Sequence, residues 1–371
     1  MQRSVSLEGV VLLLCVTASL LLLFLVIYLP LTHLRLRSQA LVPLQLGHGH
    51  WAECRIGPTA IPKATPPDAT QQPWPTSLAL LFIVRNDLYF AEQWRRWIRL
   101  CSAAKITIVP FIHSASGAMC QRALSAIEGL IQVPTVESEW CHIAEVMGTL
   151  VKRAARHETL QGCLFASESC VPCSHPDVFR RLDLETSSFF LPHAEGKKAS
   201  MWCYMTKRYM TAVEEVAAFP RRGVTLRGRS YTWGSMCSEE HIWLALAEAF
   251  RLQTTNAPVT FECWDASRLD LRMTQLDWPT IQNEEAAYHP CTFTRLTMPF
   301  LSSLQRSRYI FLRKVAPNAQ NAAALDLFLN GLVRALEGGC CRGPDCPDDA
   351  SPDCLDDAPG DYYHHRLCQE W

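Results

Sequence analysis

Surplus charge is missing from this chain. Its 371 residues carry 35 Lys and Arg against 36 Asp and Glu, a formal net charge of −1. Nothing in that balance holds a phosphate backbone, so no nucleic-acid partner is expected. Internal repeats are absent as well, and with them the solenoid architectures. No Asn-x-Ser/Thr sequon occurs, so N-glycosylation supplies no marker of compartment. Apolar residues, by contrast, make up 49% of the chain. That is enough to bury a substantial core in one large domain or two small ones.

One stretch is apolar throughout. Gly9 to Leu29 runs for 21 residues without a charge, long enough to cross a bilayer as a helix. Tyr28-Leu29-Pro30-Leu31 follows where a cleavable signal would place small residues, so an uncleaved signal-anchor after a short tail (1–8) is expected. Orientation draws two opposed arguments. Arg3 precedes the span and Arg35 and Arg37 follow it, which leans toward a cytoplasmic C-terminal side. Sixteen of the 17 cysteines lie beyond the span, which suits an oxidising lumen where they can pair. The cysteine argument is given the greater weight, and the large domain is placed in the lumen. Residues 30–76 read as a stem, since Pro43, Pro58, Pro62, Pro66, Pro67, Pro73 and Pro75 interrupt any helix.

The globular part, 77–337, alternates between two periodicities. Leu78 to Val84 is a continuous apolar run, typical of a strand buried on both faces. Asp87 is expected to cap the next helix, whose apolar stripe is Phe90, Trp94, Trp97, Ile98 and Cys101. Ile106 to Ile112 reads as a second strand, with Pro110 marking an edge or bulge. A helix with Ile143, Val146, Met147, Leu150, Val151 and Ala154 on one face comes next, then strands at Cys163–Ala166 and Ser188–Leu191. Strand and helix in alternation imply an α/β fold with a mostly parallel central sheet. Ligands of such sheets bind beyond the carboxyl ends of the strands, so the loops after Val84, Ile112 and Ala166 are the candidate site walls. Tyr309–Leu312 reads as a strand and Leu325–Leu336 as a final helix stopped by Gly338-Gly339. The last 34 residues hold five cysteines among eight acidic residues. They have no regular Cys and His spacing for a metal, so a stapled or irregular tail is expected.

Glu239-Glu240-His241 carries the most chemistry. Ile242, Leu246, Ala249 and Phe250 give the following helix a buried face, and Ser238 suits its N-cap. Both carboxylates then fall in the first turn, where the helix dipole favours negative charge. They can be simple capping residues, or one of them can be a general base. Further segments fall in a telling order: Val84-Arg85-Asn86-Asp87-Leu88-Tyr89-Phe90-Ala91, His113-Ser114, Val136 to Trp140 with Ile143, Phe165-Ala166-Ser167-Glu168-Ser169-Cys170-Val171-Pro172, Glu239-Glu240-His241-Ile242-Trp243, Asp277-Trp278 with His289-Pro290, and Tyr309 to Lys314. Over residues 78–318 this order resembles the core-2/I-branching β-1,6-N-acetylglucosaminyltransferase family, particularly its plant-type branch.

The resemblance implies a GT-A-like nucleotide-sugar fold and a type II membrane protein of the Golgi. It also implies an inverting transfer of sugar from a UDP-sugar to a glycan hydroxyl. The donor most often used is N-acetylglucosamine; related branches use glucuronic acid or xylose. The family's base falls on Glu240, with Glu239 as a second choice or supporting residue. Its diphosphate-binding lysine falls on Lys314, with Arg313 as companion. His113 matches a position lining the nucleotide pocket, and Glu168 and Ser169 lie beside the expected donor site. Trp202 either stacks on acceptor sugar or fills the core. Glu145 stands one position before the place where an acidic nucleotide contact occurs in the animal branch. No Asp-x-Asp occurs in the chain, Asp183-Leu184-Glu185 being nearest, and the family is metal-independent, so no metal cofactor is expected. The rival readings are a non-catalytic lectin-like or scaffolding ectodomain of the same fold and a glycoside hydrolase. The hydrolase fits poorly, because adjacent residues rarely place carboxylates on opposite faces of a sugar. Cys170-Val171-Pro172-Cys173 lacks the context of a redox motif.

Overall fold

The computed structural model of the chain describes residues 77–139, 141–183, 185–189, 198–234, 237–263, 279–282, 290–305, 307 and 309–337. The expected tail, membrane span and stem (1–76), Asp277-Trp278, His289 and the Cys/Asp-rich segment 338–371 lie outside the described residues. Among the described residues no helix is long and apolar enough to cross a membrane.

The elements in chain order are strands β1 (Ser77–Val84), β2 (Thr107–Ser114), β3 (Ile131–Gln132), β4 (Gly162–Ser167), β5 (Val171–Pro172), β6 (Ser187–Phe189) and β7 (Tyr204–Thr206), then β8 (Gly223–Leu226), β9 (Arg229–Thr232), β10 (Thr254–Asn256), β11 (Thr260–Glu262), β12 (Thr280–Gln282), β13 (Thr292–Arg295) and β14 (Phe311–Arg313). The helices are α1 (Ala91–Ala103), α2 (Gln121–Ala126), α3 (Ala144–Ala155), α4 (Lys207–Glu214), α5 (Ile242–Phe250), α6 (Met298–Gln305) and α7 (Ala319–Glu337). The fold is mixed α/β around a 7-stranded sheet of order β10-β6-β7-β4-β1-β2-β3. Only β7 runs against its neighbours; β1 is parallel to both β2 and β4, and β10 to β6. The apolar runs explain this centre. Leu78 to Phe82 are 0–1% exposed, as a strand with covered faces and two sequence-distant neighbours requires.

Pro110 sits inside β2, opposite Leu80 of β1, while the outer neighbour β3 pairs only with Phe111 and Ile112. Its missing N–H therefore falls where β2 has no outer partner, which is how a strand tolerates proline. An aromatic cluster fastens α1 to β14. Trp94 lies 5.0 Å from Phe82 and 5.1 Å from Phe311, and Trp97 lies 5.7 Å from Phe311. The strand that ends in Arg313 is thus held against the helix that follows β1.

Two capping expectations are corrected by the structure, and the cysteines divide into two groups. Asp87 does not cap α1, which has no side-chain cap. Its carboxylate accepts from the backbone N–H groups of Arg122 and Ala123 at 2.9 and 3.2 Å, so it caps α2, 35 residues away. Ser238 does not cap α5 either. Ser238–Glu240 is a separate 3₁₀ turn, and α5 begins after His241 with no side-chain cap. The cysteines, finally, are used in two ways. Cys141 and Cys237 form a disulfide. Cys101, Cys120, Cys163, Cys170, Cys173 and Cys203 are free and buried. They pack as small apolar residues in the core.

Candidate active site

The site is built at the carboxyl ends of β1, β2 and β4, where Val84 stands opposite Ser114 and Ile83 opposite Ser167. Backbone groups stitch the first two loops together: Ala115 N–H donates to the Val84 carbonyl and Ser116 N–H to that of Arg85, both at 2.9 Å. Glu168 follows β4. Burial raises its pKa, against the opposing pull of its own backbone N–H, the Arg313 charge, and the N–H and charge of Arg85. Ser169 Oγ lies 3.2 Å from Ser167 Oγ, and the Ser169 carbonyl accepts from Val315 N–H at 2.9 Å. That last bond joins the β4 loop to the end of β14, beside Lys314.

Arg313 is held by Glu262 and Trp202. Its Nη1 donates to Glu262 Oε1 at 2.6 Å, and both side chains are nearly buried, at 13% and 6% exposure. Its guanidinium lies 4.4 Å from the Trp202 ring centroid. The other Glu262 oxygen accepts from Ser200 Oγ at 3.2 Å. Trp202 therefore fills the core and stacks on arginine; at 5% exposure it has little surface to offer a sugar. Lys314, half-buried, is the next residue, and its carbonyl accepts from Phe293 N–H at 2.8 Å.

The two adjacent carboxylates part company. Glu240 is 37% exposed and accepts from Lys198 Nζ at 2.9 Å, while its carbonyl accepts from Ala199 N–H at 2.7 Å. Glu239 turns inward and is 4% exposed, with Oε2 lacking a hydrogen-bond partner. Burial first, and the Glu240 charge in addition, push its pKa up to about 7 against the pull of backbone N–H groups including that of Ile143. His241 stacks under Trp233 at 5.7 Å, with ring planes 8° apart. One segment spans these features: Lys198 pairs with Glu240, Ser200 with Glu262, and Trp202 with Arg313.

The structure gives His113 an interior task. The residue is fully buried, and its Nε2 accepts from Val136 N–H at 2.9 Å, which leaves the proton on Nδ1. Burial lowers its pKa, so the ring is neutral and pins the loop after β3 to the end of β2. Glu145 accepts from Phe219 N–H at 3.2 Å and lines a cleft of about 170 Å³ with Phe219, Arg221 and Ser238. Cys170 and Cys173 are buried, and burial raises both thiols, Cys170 to about 11. Neither is a thiolate at neutral pH, which agrees with the rejection of a redox motif.

Lys198, Ser200 and Glu262 are the site residues that sequence reasoning missed. Lys197-Lys198 ahead of Trp202 was a visible signal; Glu262, in the three-residue strand β11, had none. Cys141, Cys237 and Glu239 place their donor atoms within 4.8 Å of one another, but the two sulfurs are bonded to each other. No protein-family model matches the chain, and no curated protein matches it in sequence.

Proposed function

We propose that this protein is an inverting, metal-independent glycosyltransferase with a GT-A-like fold, related to the core-2/I-branching family. It moves a sugar, N-acetylglucosamine first among the candidates, from a UDP-sugar onto a glycan hydroxyl. The observation that carries this reading is the Lys198–Trp202 segment, which touches the carboxylate Glu240 at one end and Arg313, next to Lys314, at the other. A base and a cationic strand end are thereby held by one short piece of chain. They are the two groups that displacement at an anomeric carbon needs on opposite sides.

In this reading Glu240 takes the proton of the acceptor hydroxyl as its oxygen bonds to the anomeric carbon. The bond from that carbon to the UDP oxygen breaks, and the diphosphate charge is met by Lys314. Arg313 is neutralised by Glu262 and acts by shaping the strand end. Lys198, whose Nζ donates to the Glu240 carboxylate at 2.9 Å, orients it before the acceptor arrives. The anchor of residues 9–29 would place the protein in the Golgi membrane as a single-pass type II protein with this domain lumenal. The same two ion pairs, Glu240–Lys198 and Arg313–Glu262, also favour a second reading. A lectin-like ectodomain of the same fold would keep its charges paired within the protein.

A donor screen with the full-length chain, using UDP-N-acetylglucosamine, UDP-glucuronic acid and UDP-xylose with and without EDTA, tests the proposal. Transfer that survives EDTA and falls at least about 100-fold in Glu240→Gln is expected. Glycan binding without transfer from any donor would favour the lectin reading. A strict need for a divalent cation would remove Lys314 from its role.

A further inference from the structure

Cys141 and Cys237 are separated by 96 residues, and each stands two positions before a group that defines the carboxylate turn. Cys141 precedes Ile143, whose N–H reaches the Glu239 carboxylate. Cys237 precedes Glu239, and its carbonyl accepts from Glu240 N–H at 3.1 Å. The two sulfurs and a Glu239 oxygen lie within 4.8 Å of one another. Cys141 also has φ 63°, in the left-handed region. It closes a tight turn in which His142 N–H donates to the Glu139 carbonyl at 2.9 Å. That position favours Gly or Asn, so a cysteine there stands against backbone preference. The pair is also set apart by exposure. Cys141 and Cys237 are half-buried, whereas Cys101, Cys120, Cys163, Cys170, Cys173 and Cys203 are buried in the core.

We propose that the Cys141–Cys237 disulfide is a positioning clamp for the carboxylate turn, and that a dithiol reductant can release it and switch the site off. The proposal rests on the reading of Glu240 as the base. In the closed state the disulfide ties the start of α3 to the turn, so Glu239 is held inward and Glu240 is presented beside Lys198. In the release step a dithiol attacks one sulfur, passes two electrons and two protons to the cystine, and itself closes to a cyclic disulfide. Two thiols remain beside Glu239, and the turn keeps only its hydrogen bonds. Because the pair is within reach of solvent while Cys101, Cys120, Cys163, Cys170, Cys173 and Cys203 are enclosed, release leaves those core thiols untouched.

The test uses the full-length chain in three forms: oxidised, reduced with dithiothreitol and alkylated, and Cys141→Ala/Cys237→Ala. Peptide mapping verifies that both sulfurs are labelled. The readouts are kcat for transfer, the Kd for UDP, the melting curve, and amide exchange of the Ser238–His241 peptide against that of β1 and β4. The expected result is a drop in kcat of at least tenfold with UDP affinity held within twofold, and recovery when the reduced, unalkylated protein is reoxidised. Exchange in Ser238–His241 should rise at least tenfold while β1 and β4 stay protected. Unchanged exchange in that peptide, or unchanged kcat in protein with both sulfurs labelled, overturns the clamp. Exchange that rises throughout the sheet, with UDP affinity lost as well, also overturns it, because the disulfide is then a general staple. If the oxidised protein transfers no sugar, the transferase reading fails separately, and the exchange data still decide the clamp.

Discussion

Glu239→Gln offers a quantitative test of how the carboxylate turn is built. The wild-type carboxyl is 4% exposed, and its pKa stands at about 7 instead of an ordinary 4.5. A carboxyl whose folded value is raised binds its proton more tightly in the native state than in the unfolded chain. Unfolding then releases protons between those two values, so stability is full below pH 4.5 and is lost as pH rises through about 7. At 1.36 kcal/mol per pH unit, the loss is about 3 kcal/mol. Glutamine reproduces the neutral acid: one oxygen still accepts the backbone N–H groups, and the second polar atom takes the place of Oε2, which has no partner in the wild type. Urea unfolding from pH 4.5 to 8.5 should give the same stability for both proteins at the acid end, within about 0.5 kcal/mol. At pH 8.5 the variant should be the more stable by about 3 kcal/mol. Taking the difference between the two proteins cancels every other titrating group. A difference that stays flat across that range would mean that water reaches Glu239, and the buried-carboxyl argument would be wrong.

Other perturbations separate strong from weak contacts. Glu262→Gln leaves the Arg313 charge nearly buried without its carboxylate and should cost about 3–5 kcal/mol in a denaturant titration. Glu248→Gln, by contrast, removes the partner of Arg229 where both side chains are more than half exposed, and should cost less than about 1 kcal/mol. Asp87→Ala removes the acceptor for the first N–H groups of α2 and should lower stability by about 1 kcal/mol, with faster amide exchange at Arg122 and Ala123. Gly148→Ala places a Cβ 2.2 Å from a Phe219 ring carbon. The gain in helix propensity of about 1 kcal/mol is outweighed by overpacking of about 1–3 kcal/mol, so the melting temperature should fall. Phe219→Leu in the same chain should recover part of that loss.

Much of the fold was legible because burial leaves a local record. Leu78 to Val84 and Cys163 to Ala166 are apolar without interruption, and both became central strands of the parallel sheet. Trp94, Trp97 and Cys101 recur at helical spacing and face the core. At the candidate site, Glu240 stands out in the sequence as a carboxylate ahead of a helix and Lys314 as a cation at a strand end. Their partners do not, because an ion pair has no period. Lys198 meets Glu240 across 42 residues, and Glu262 meets Arg313 across 51. Asp87 was readable as a capping residue, yet the helix it caps lies one strand further along the chain. Seventeen cysteines invited a reading of many disulfides, and spacing alone gave no means of choosing Cys141 and Cys237 from the rest.

The chain by itself determined which segments are strands and helices and which faces they bury. Those properties depend on neighbours within a turn or two of chain, where geometry repeats. Tertiary structure alone decided that Glu239 points inward and Glu240 outward, that Arg313 pairs with Glu262, and that the Cys141–Cys237 disulfide borders the carboxylate turn. Each of these depends on the dielectric surroundings and on partners brought from far along the chain, and only the folded path supplies them.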